Sequence, residues 1–324
     1  MVHPLWRQFP TVNHQLTQLT AYLPTCVDTS NDAINAQVTA LLTNGGKFLR
    51  PGFFYLFAGL GPDQEPSRLQ SGAAAIELLH VATLIHDDVL DVAEIRHGQP
   101  TLQVQNSNKI AIYTGDLLFT SYFAEILKAA ETPAQIQAAN TVMQAILGGE
   151  LDQLTVNFDP HVTTTAYLNE IQGKTARLFE FAATFAVELS HGRADLAATA
   201  GQIGLAIGTA YQIRDDILDY VADATTATKP VQHDLRQGVY TLPLLLASQQ
   251  DPDWFKAALA DQKHLTDEAV ATINNRVHDL HGPELAETVA REYTDHALSL
   301  IATLPAPVSD QLTQLTTQLL QRNA

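Results

Sequence analysis

Two short stretches carry acids where acids are costly. Residues 85–91 read IHDDVLD and residues 213–219 read IRDDILD, each setting aspartates inside an aliphatic frame. On a helix, positions four apart lie on one face, a turn from each other. Asp87 and Asp91 therefore point the same way, as do Asp215 and Asp219, with Asp88 and Asp216 beside them. Like charges at that spacing repel, and more so among apolar neighbours. A hard cation between them reverses the sign, and magnesium is typically held by one or two carboxylates plus substrate phosphate oxygens. A single such cluster also fits a solvated helix end. Two of them in nearly the same frame fit a pair of grips on one diphosphate.

A diphosphate needs cations from the protein as well, and the chain has only 18 Lys plus Arg against 35 acids. Several of those few fall in glycine- or proline-marked segments: Lys47 and Arg50 in GGKFLRP, Arg96 in IRHGQPT, Lys174 in QGKTARLFEF and Lys229 in TKPVQHDLRQG. His80 precedes Asp87 by two helical turns and shares its face, and Gln212 stands one turn before Asp215 and Asp216. Taken singly, each fits an ordinary surface charge or a satisfied core group. Their scarcity and their setting are what single them out.

The elements that must position these residues read as helices. DTSND at 28–32 offers N-cap residues for a helix ending at Gly45-Gly46, and Pro66 opens a run that carries the first acid cluster. Further runs cover 107–130, 133–156, 163–190, 194–222 and 233–248, with more behind Pro252, Pro283 and Pro307. No hairpin signal separates alternating segments. The expectation is an all-α single domain over 1–324, with about ten to twelve helices. A hydrophobic share of 46% supports a large core, and the formal charge of −17 argues against nucleic acid or anionic lipid as partners. One cysteine, Cys26, no signal-peptide pattern and no long uninterrupted apolar run lead to the expectation of a cytoplasmic protein without an integral membrane segment.

These motifs, in this order, resemble the all-trans isoprenyl diphosphate synthases, the polyprenyl synthetase family. The resemblance rests on GGKFLRP at 45–51, DDVLD at 87–91 with IRHGQPT, GDLLF at 115–119, GELDQ at 149–153, GKTA at 173–176, YQIRDDILDY at 211–220 and KPVQHDLRQG at 229–238. It implies a helical bundle around a deep central cavity, a homodimer, and three magnesium ions as cofactor. The substrates it implies are isopentenyl diphosphate and an allylic diphosphate. Asp87, Asp88, Asp91, Asp215, Asp216 and Asp219 would then bind the metals, directly or through water. Arg96, Lys174 and Lys229 would contact the allylic diphosphate. Lys47, Arg50 and His80 would hold isopentenyl diphosphate, and Thr175 and Gln212 would line the region of the allylic cation. Lys174 joins the aspartates in the catalytic set.

Two positions depart from the family pattern: His97 stands where a second arginine is usual, and Gln232 where glycine is usual. Imidazole lacks the permanent charge and bidentate fork of guanidinium. The rivals are a short-chain farnesyl- or geranylgeranyl-type synthase, a terpene cyclase and a non-catalytic partner subunit. The cyclase pattern normally mixes Asn, Ser or Thr with Glu in its second motif, and partner subunits usually lose the aspartates. For product length, the resemblance points to Ala82 and Thr83, a turn before Asp87, where short-chain members usually carry Phe or Tyr. Small residues there imply a deeper floor, with Phe119, Tyr122 and Phe123 as candidates for it. A helix of about 20 residues is roughly 30 Å long, room for about six or seven extended isoprene units at roughly 4–5 Å each. The expected product is therefore long-chain.

Overall fold

The structure is a computed structural model, and it describes residues 2–43, 46–96, 98–221, 233–260 and 265–320. In chain order the elements are α1 (Pro10–Tyr22), α2 (Asp32–Thr43), α3 (Leu49–Ala58) and α4 (Pro66–Leu90). The strands β1 (Ile95–Arg96) and β2 (Gln99–Pro100) follow, then α5 (Leu102–Gln105), α6 (Asn108–Ala129), α7 (Pro133–Val156) and α8 (Thr164–Ile171). The rest is α9 (Arg177–Leu189), α10 (Ala194–Val221), α11 (His233–Arg236), α12 (Leu242–Ser248), α13 (Pro252–Ala258), α14 (Asp267–Asp279), α15 (Gly282–Ile301) and α16 (Val308–Leu320). The all-α expectation holds.

Several boundaries follow from local chemistry. Asn31 caps α2, its Oδ1 accepting from the backbone N–H of Ala33 and Ile34. Glu65 does the same for α4, accepting from Ser67 and Arg68, with Pro66 at the first helical position. Three sequence expectations are corrected. The run over 163–190 is α8 and α9 joined by a π-helical turn at Gln172–Ala176. The run over 233–248 is broken between α11 and α12, where Gly238 takes φ +76°, open to a residue without a Cβ. A two-residue hairpin follows α4, pairing Ile95 with Pro100 and Arg96 with Gln99. Such breaks give more helical segments than ten to twelve.

The described residues group into two compact units. The first comprises Met1–Met143, Leu178–Gln202 and Thr303–Leu312. In it α4 runs along α6, and α3 packs on α4. Trp6 fills the space over Gly52, where a Cβ would fall 2.0 Å from the indole. The same indole donates its Nε1–H to the carbonyl of Lys47 at 2.6 Å, so the N-terminal segment fixes the loop that carries Lys47. By length and composition alone α6 could cross a membrane, yet its Leu118, Tyr122 and Ile126 are fully buried, as in a core helix.

The second unit comprises Gln144–Arg177, Ile203–Ala302 and Thr313–Ala324. Its core gathers Tyr167, Ile171, Ile213, Ile217 and Tyr220 with Leu235, Tyr240, Leu242 and Leu245, and extends into α13, α14 and α15.

Candidate active site

Both acid clusters sit at the wrong end of their helices. Asp87 and Asp88 lie in the last turn of α4 and Asp91 caps it; Asp215, Asp216 and Asp219 lie in the last two turns of α10. A helix C-terminus carries partial negative charge and favours cations. Neither helix has a basic residue in its last turn. Anionic clusters at negative helix ends are favoured by nearby positive charge.

Within each cluster the second aspartate differs from the others. Asp88 is 6% exposed, and its Oδ1 accepts from Arg96 Nε at 2.6 Å, while Gln103 donates to its backbone carbonyl. Asp216 is also 6% exposed; its Oδ2 accepts from the Tyr167 hydroxyl at 2.5 Å and its Oδ1 from Gln212 Nε2 at 2.8 Å. Burial and the charge of Asp234 push the Asp216 carboxyl up, against the lowering by those two donors. Asp91 and Asp215 are exposed, and Asp87 and Asp219 half-buried. The buried member of each cluster is thus held by protein donors, and the others are more accessible.

The donor set fits magnesium. Magnesium is typically bound through one or two carboxylates plus substrate oxygens and water, and each cluster offers such carboxylates. Asp87 and Asp91 at the end of α4 would hold such an ion, and so, separately, would Asp215 and Asp219 on α10.

The first unit assembles a basic site upstream of its aspartates. Arg50 Nη1 lies 3.0 Å from His80 Nε2, and its guanidinium carbon stands 4.8 Å over the Phe179 ring. Because a guanidinium only donates, that His80 nitrogen is the acceptor. Glu77, one turn before His80, is buried, and its carboxyl is pushed up to about 7 by burial with Arg50 opposing. Lys47 is exposed on the loop held by Trp6. Beside Asp87, His86 stacks on Phe119 and faces Asp116 Oδ1 at 3.2 Å. A Cβ on Gly115 would fall 2.4 Å from the His86 ring, so the glycine of GDLLF is what admits the imidazole.

The second unit builds its counterpart around the π turn. Such turns insert one extra residue into a helix and concentrate at functional sites. Here the turn is QGKTA itself. Lys174 Nζ donates to Glu150 Oε2 at 3.0 Å and Gln153 Oε1 at 3.1 Å, bringing GKTA and GELDQ together. A Cβ on Gly149 would meet Lys174 N at 3.2 Å, a fit that glycine permits. Burial raises the Glu170 carboxyl to about 7, with Lys174 opposing and Glu150 and Asp234 adding. Thr175 Oγ1 donates to Gln212 Oε1 at 2.7 Å.

The candidate tail-channel residues divide. Ala82 is buried, and Thr83 is half-buried with its hydroxyl on the His80 carbonyl. Phe119, a candidate for the channel floor, stacks on His86 where α6 runs along α4. Tyr122 is fully buried with its hydroxyl on the Ala139 carbonyl, beside Phe123. His97, Lys229 and Gln232 lie outside the described residues. Sequence reading missed Glu77, His86, Asp116, Glu150, Tyr167, Glu170 and Asp234. His86, Asp116, Glu150 and Asp234 stood inside the motifs IHDDVLD, GDLLF, GELDQ and KPVQHDLRQG, whereas Glu77, Tyr167 and Glu170 become visible only through their contacts.

Two helix ends that concentrate acid thus stand on an all-α frame, with basic residues in each unit. Residues 31–277 match the polyprenyl synthetase family, and the chain belongs to it; it is a trans-prenyltransferase. It is 33% identical over 266 residues to heptaprenyl diphosphate synthase component 2 of Geobacillus stearothermophilus, covering 82% of each chain. Among solved structures, geranylgeranyl pyrophosphate synthase from Lactobacillus brevis superposes with a TM-score of 0.95 at 45% identity, covering 98% of this chain and 99% of that one. A polyprenyl synthase from Caulobacter crescentus, complexed with calcium and isoprenyl diphosphate, superposes with a TM-score of 0.90 at 26% identity, covering 100% and 99%. These neighbours share the isoprenoid synthase fold.

Proposed function

We propose that this chain is a magnesium-dependent synthase that condenses isopentenyl diphosphate with an allylic diphosphate into a linear all-trans polyprenyl diphosphate. The observation that carries the reading is the placement of two aspartate clusters at helix C-termini, each with its middle acid anchored by protein donors. Asp87, Asp88, Asp91 and Asp215 would bind magnesium on the allylic diphosphate, three ions in all, with Asp216 and Asp219 ligating directly or through water. The bound metal supplies Lewis-acid stabilisation of the leaving diphosphate.

The protein's own residues do the rest. Arg96, Lys174 and Lys229 hold the allylic diphosphate oxygens; Lys47, Arg50 and His80 hold isopentenyl diphosphate. The bond from C1 to oxygen breaks, and the diphosphate leaves with the electron pair. The double bond of isopentenyl diphosphate then donates its π electrons to C1, forming the new carbon–carbon bond. The resulting cation loses a proton to the released diphosphate, which restores a double bond. Thr175 and Gln212 line the region where the first cation forms.

We take residues 1–324 as one catalytic domain, because each compact unit draws on three separated stretches of chain. A cytoplasmic homodimer completes the proposal. Leu147, Leu151 and Leu154 form an exposed stripe at helical spacing on α7, and Ile112, Tyr113 and Leu127 are exposed on α6. Small residues at Ala82 and Thr83 favour a product of about six or more units, by the length argument of a helix rising ~1.5 Å per residue. A four-unit product is the second reading, favoured by the 45% identity to the geranylgeranyl synthase of L. brevis.

The test is incubation of the purified chain alone with magnesium, isopentenyl diphosphate and an allylic primer, followed by chromatography of dephosphorylated products. A linear prenyl ladder is expected. A cyclic hydrocarbon would assign a cyclase, and no product a partner subunit.

A further inference from the structure

Four side chains of the second unit form a hydrogen-bond chain with one direction. Tyr167 donates to Asp216 Oδ2, Gln212 Nε2 donates to Asp216 Oδ1, and Thr175 Oγ1 donates to Gln212 Oε1. Tyr167 is 2% exposed, and Thr175 and Asp216 6% each, so water has little part in setting these orientations. In such surroundings a polar group's orientation carries more energy than in water.

From the geometry we infer that Tyr167 and Asp216 are positioning residues that, through Gln212, turn the Thr175 oxygen lone pairs toward the developing allylic cation. The inference rests on the proposed prenyltransferase reaction and gives Tyr167, which the family motifs leave without a role, a part in it.

Each link dictates the next. Asp216 Oδ1 accepts, so it can face only the amide nitrogen of Gln212. The amide oxygen of Gln212 is then turned to Thr175, and an amide oxygen cannot donate. Thr175 therefore spends its one proton on Gln212, and what its oxygen offers elsewhere is lone pairs. Were the Gln212 amide reversed, the Thr175 hydroxyl could rotate and point its proton outward, presenting positive polarity to a cation. The direction survives a shared proton: Oδ1 accepts from Gln212 whether that proton sits on Tyr167 or on Oδ2.

A pair of unreactive ligands tests this by binding, without turnover. One is an allylic diphosphate analogue with a tertiary ammonium at the cationic carbon; the other is its neutral thiolodiphosphate counterpart. Calorimetric Kd values with magnesium give a preference ratio, ammonium over neutral, for each variant of the full chain. Tyr167→Phe and Thr175→Val should lower that ratio by on the order of ten-fold, the effect of about one oriented hydrogen bond. The neutral Kd should stay within about two-fold of wild type, well under the 1.4 kcal/mol of a ten-fold change. Thr175→Ser should keep the wild-type ratio, and adding Tyr167→Phe to Thr175→Val should lower it no further. An unchanged ratio in Tyr167→Phe, or equal weakening of both ligands, would overturn the relay while leaving the prenyltransferase reading intact. A wild-type chain that binds neither ligand would overturn both. Should Tyr167→Phe not fold, the comparison of Thr175→Val with Thr175→Ser decides: equal ratios in those two overturn the relay.

Discussion

Arg96 Nε stands 2.6 Å from Asp88 Oδ1, and through that bond the hairpin after α4 is tied to the middle acid of the first aspartate cluster. Tyr167 does the same for Asp216 in the second cluster. The two clusters thus share one plan: an anchored acid that stiffens the helix end, flanked by more accessible acids.

That plan makes the accessible acids a liability without metal. Asp91 caps α4, where the helix dipole is negative, one turn from Asp87. In metal-free protein with a chelator present, Asp91→Asn should raise unfolding free energy by about 0.3–1 kcal/mol. Added magnesium with diphosphate should stabilise wild type and leave the variant behind. Denaturant melts with and without magnesium check it; a variant less stable than wild type in chelator would count against repulsion at this helix end.

Adjacent glycines in α7 should respond in opposite ways. A Cβ at Gly148 meets nothing within 4 Å, whereas one at Gly149 meets Lys174 N at 3.2 Å and Gly173 C at 3.4 Å. Gly148→Ala should stabilise by about 0.5–1 kcal/mol, as alanine does in a helix interior, with turnover unchanged. Gly149→Ala must move the π turn by a few tenths of an ångström. Its kcat/KM for the allylic substrate should fall without a matching gain in stability. Equal behaviour of the two would show that this approach does not position Lys174.

Glu77 gives a pH signature. Its carboxyl is raised from 4.5 to about 7 by burial, so the folded state holds the proton more tightly than the unfolded chain. Ionising it therefore costs stability: nothing below pH 4.5, a growing cost from 4.5 to 7, and a constant cost above. At full ionisation the cost is on the order of 3 kcal/mol. Glu77→Gln, which cannot ionise, should gain on wild type between pH 5 and pH 8 and run parallel above that. Denaturant melts at pH 5, 7 and 8 measure the gap, and a gap that does not widen with pH would mean Glu77 is not the titrating group.

How much of this was legible in the sequence depends on distance along the chain. The aspartates showed themselves because a four-residue period of acids inside aliphatic residues is a local conflict. Asn31 and Pro66 announced their helices through side chains acting within three residues. The π turn was hidden, because apolar residues continue through 163–190 while one extra residue is absorbed at QGKTA. Gly238 was read as part of a helix because its positive φ comes from tertiary fit, with Phe158 packed over it. Tyr167 and Asp216 meet through folding alone, and so do His86 and Asp116. The stack of Phe119 on His86 was likewise hidden, because it depends on how α6 lies along α4, which spacing within α6 does not contain.

Product length is a separate matter from reaction class. Thr83 is half-buried one turn before Asp87, and its hydroxyl is held by the His80 carbonyl. Thr83→Phe puts a ring one turn below the metals and should shorten the product by several isoprene units. Mass spectrometry of dephosphorylated products from wild type and variant checks it. An unchanged length in Thr83→Phe would show that the tail does not pass this face of α4.

If both aspartate clusters act on one diphosphate through magnesium, as proposed, steady-state turnover of Asp87→Ala and Asp215→Ala will show it. With saturating isopentenyl diphosphate, an allylic primer and millimolar magnesium, each single variant should lose two orders of magnitude or more in kcat, about 2.7 kcal/mol of transition-state stabilisation. Both variants should keep the wild-type melting temperature in chelator, or exceed it. Turnover near wild type in either variant, with the chain folded and magnesium present, would contradict the account.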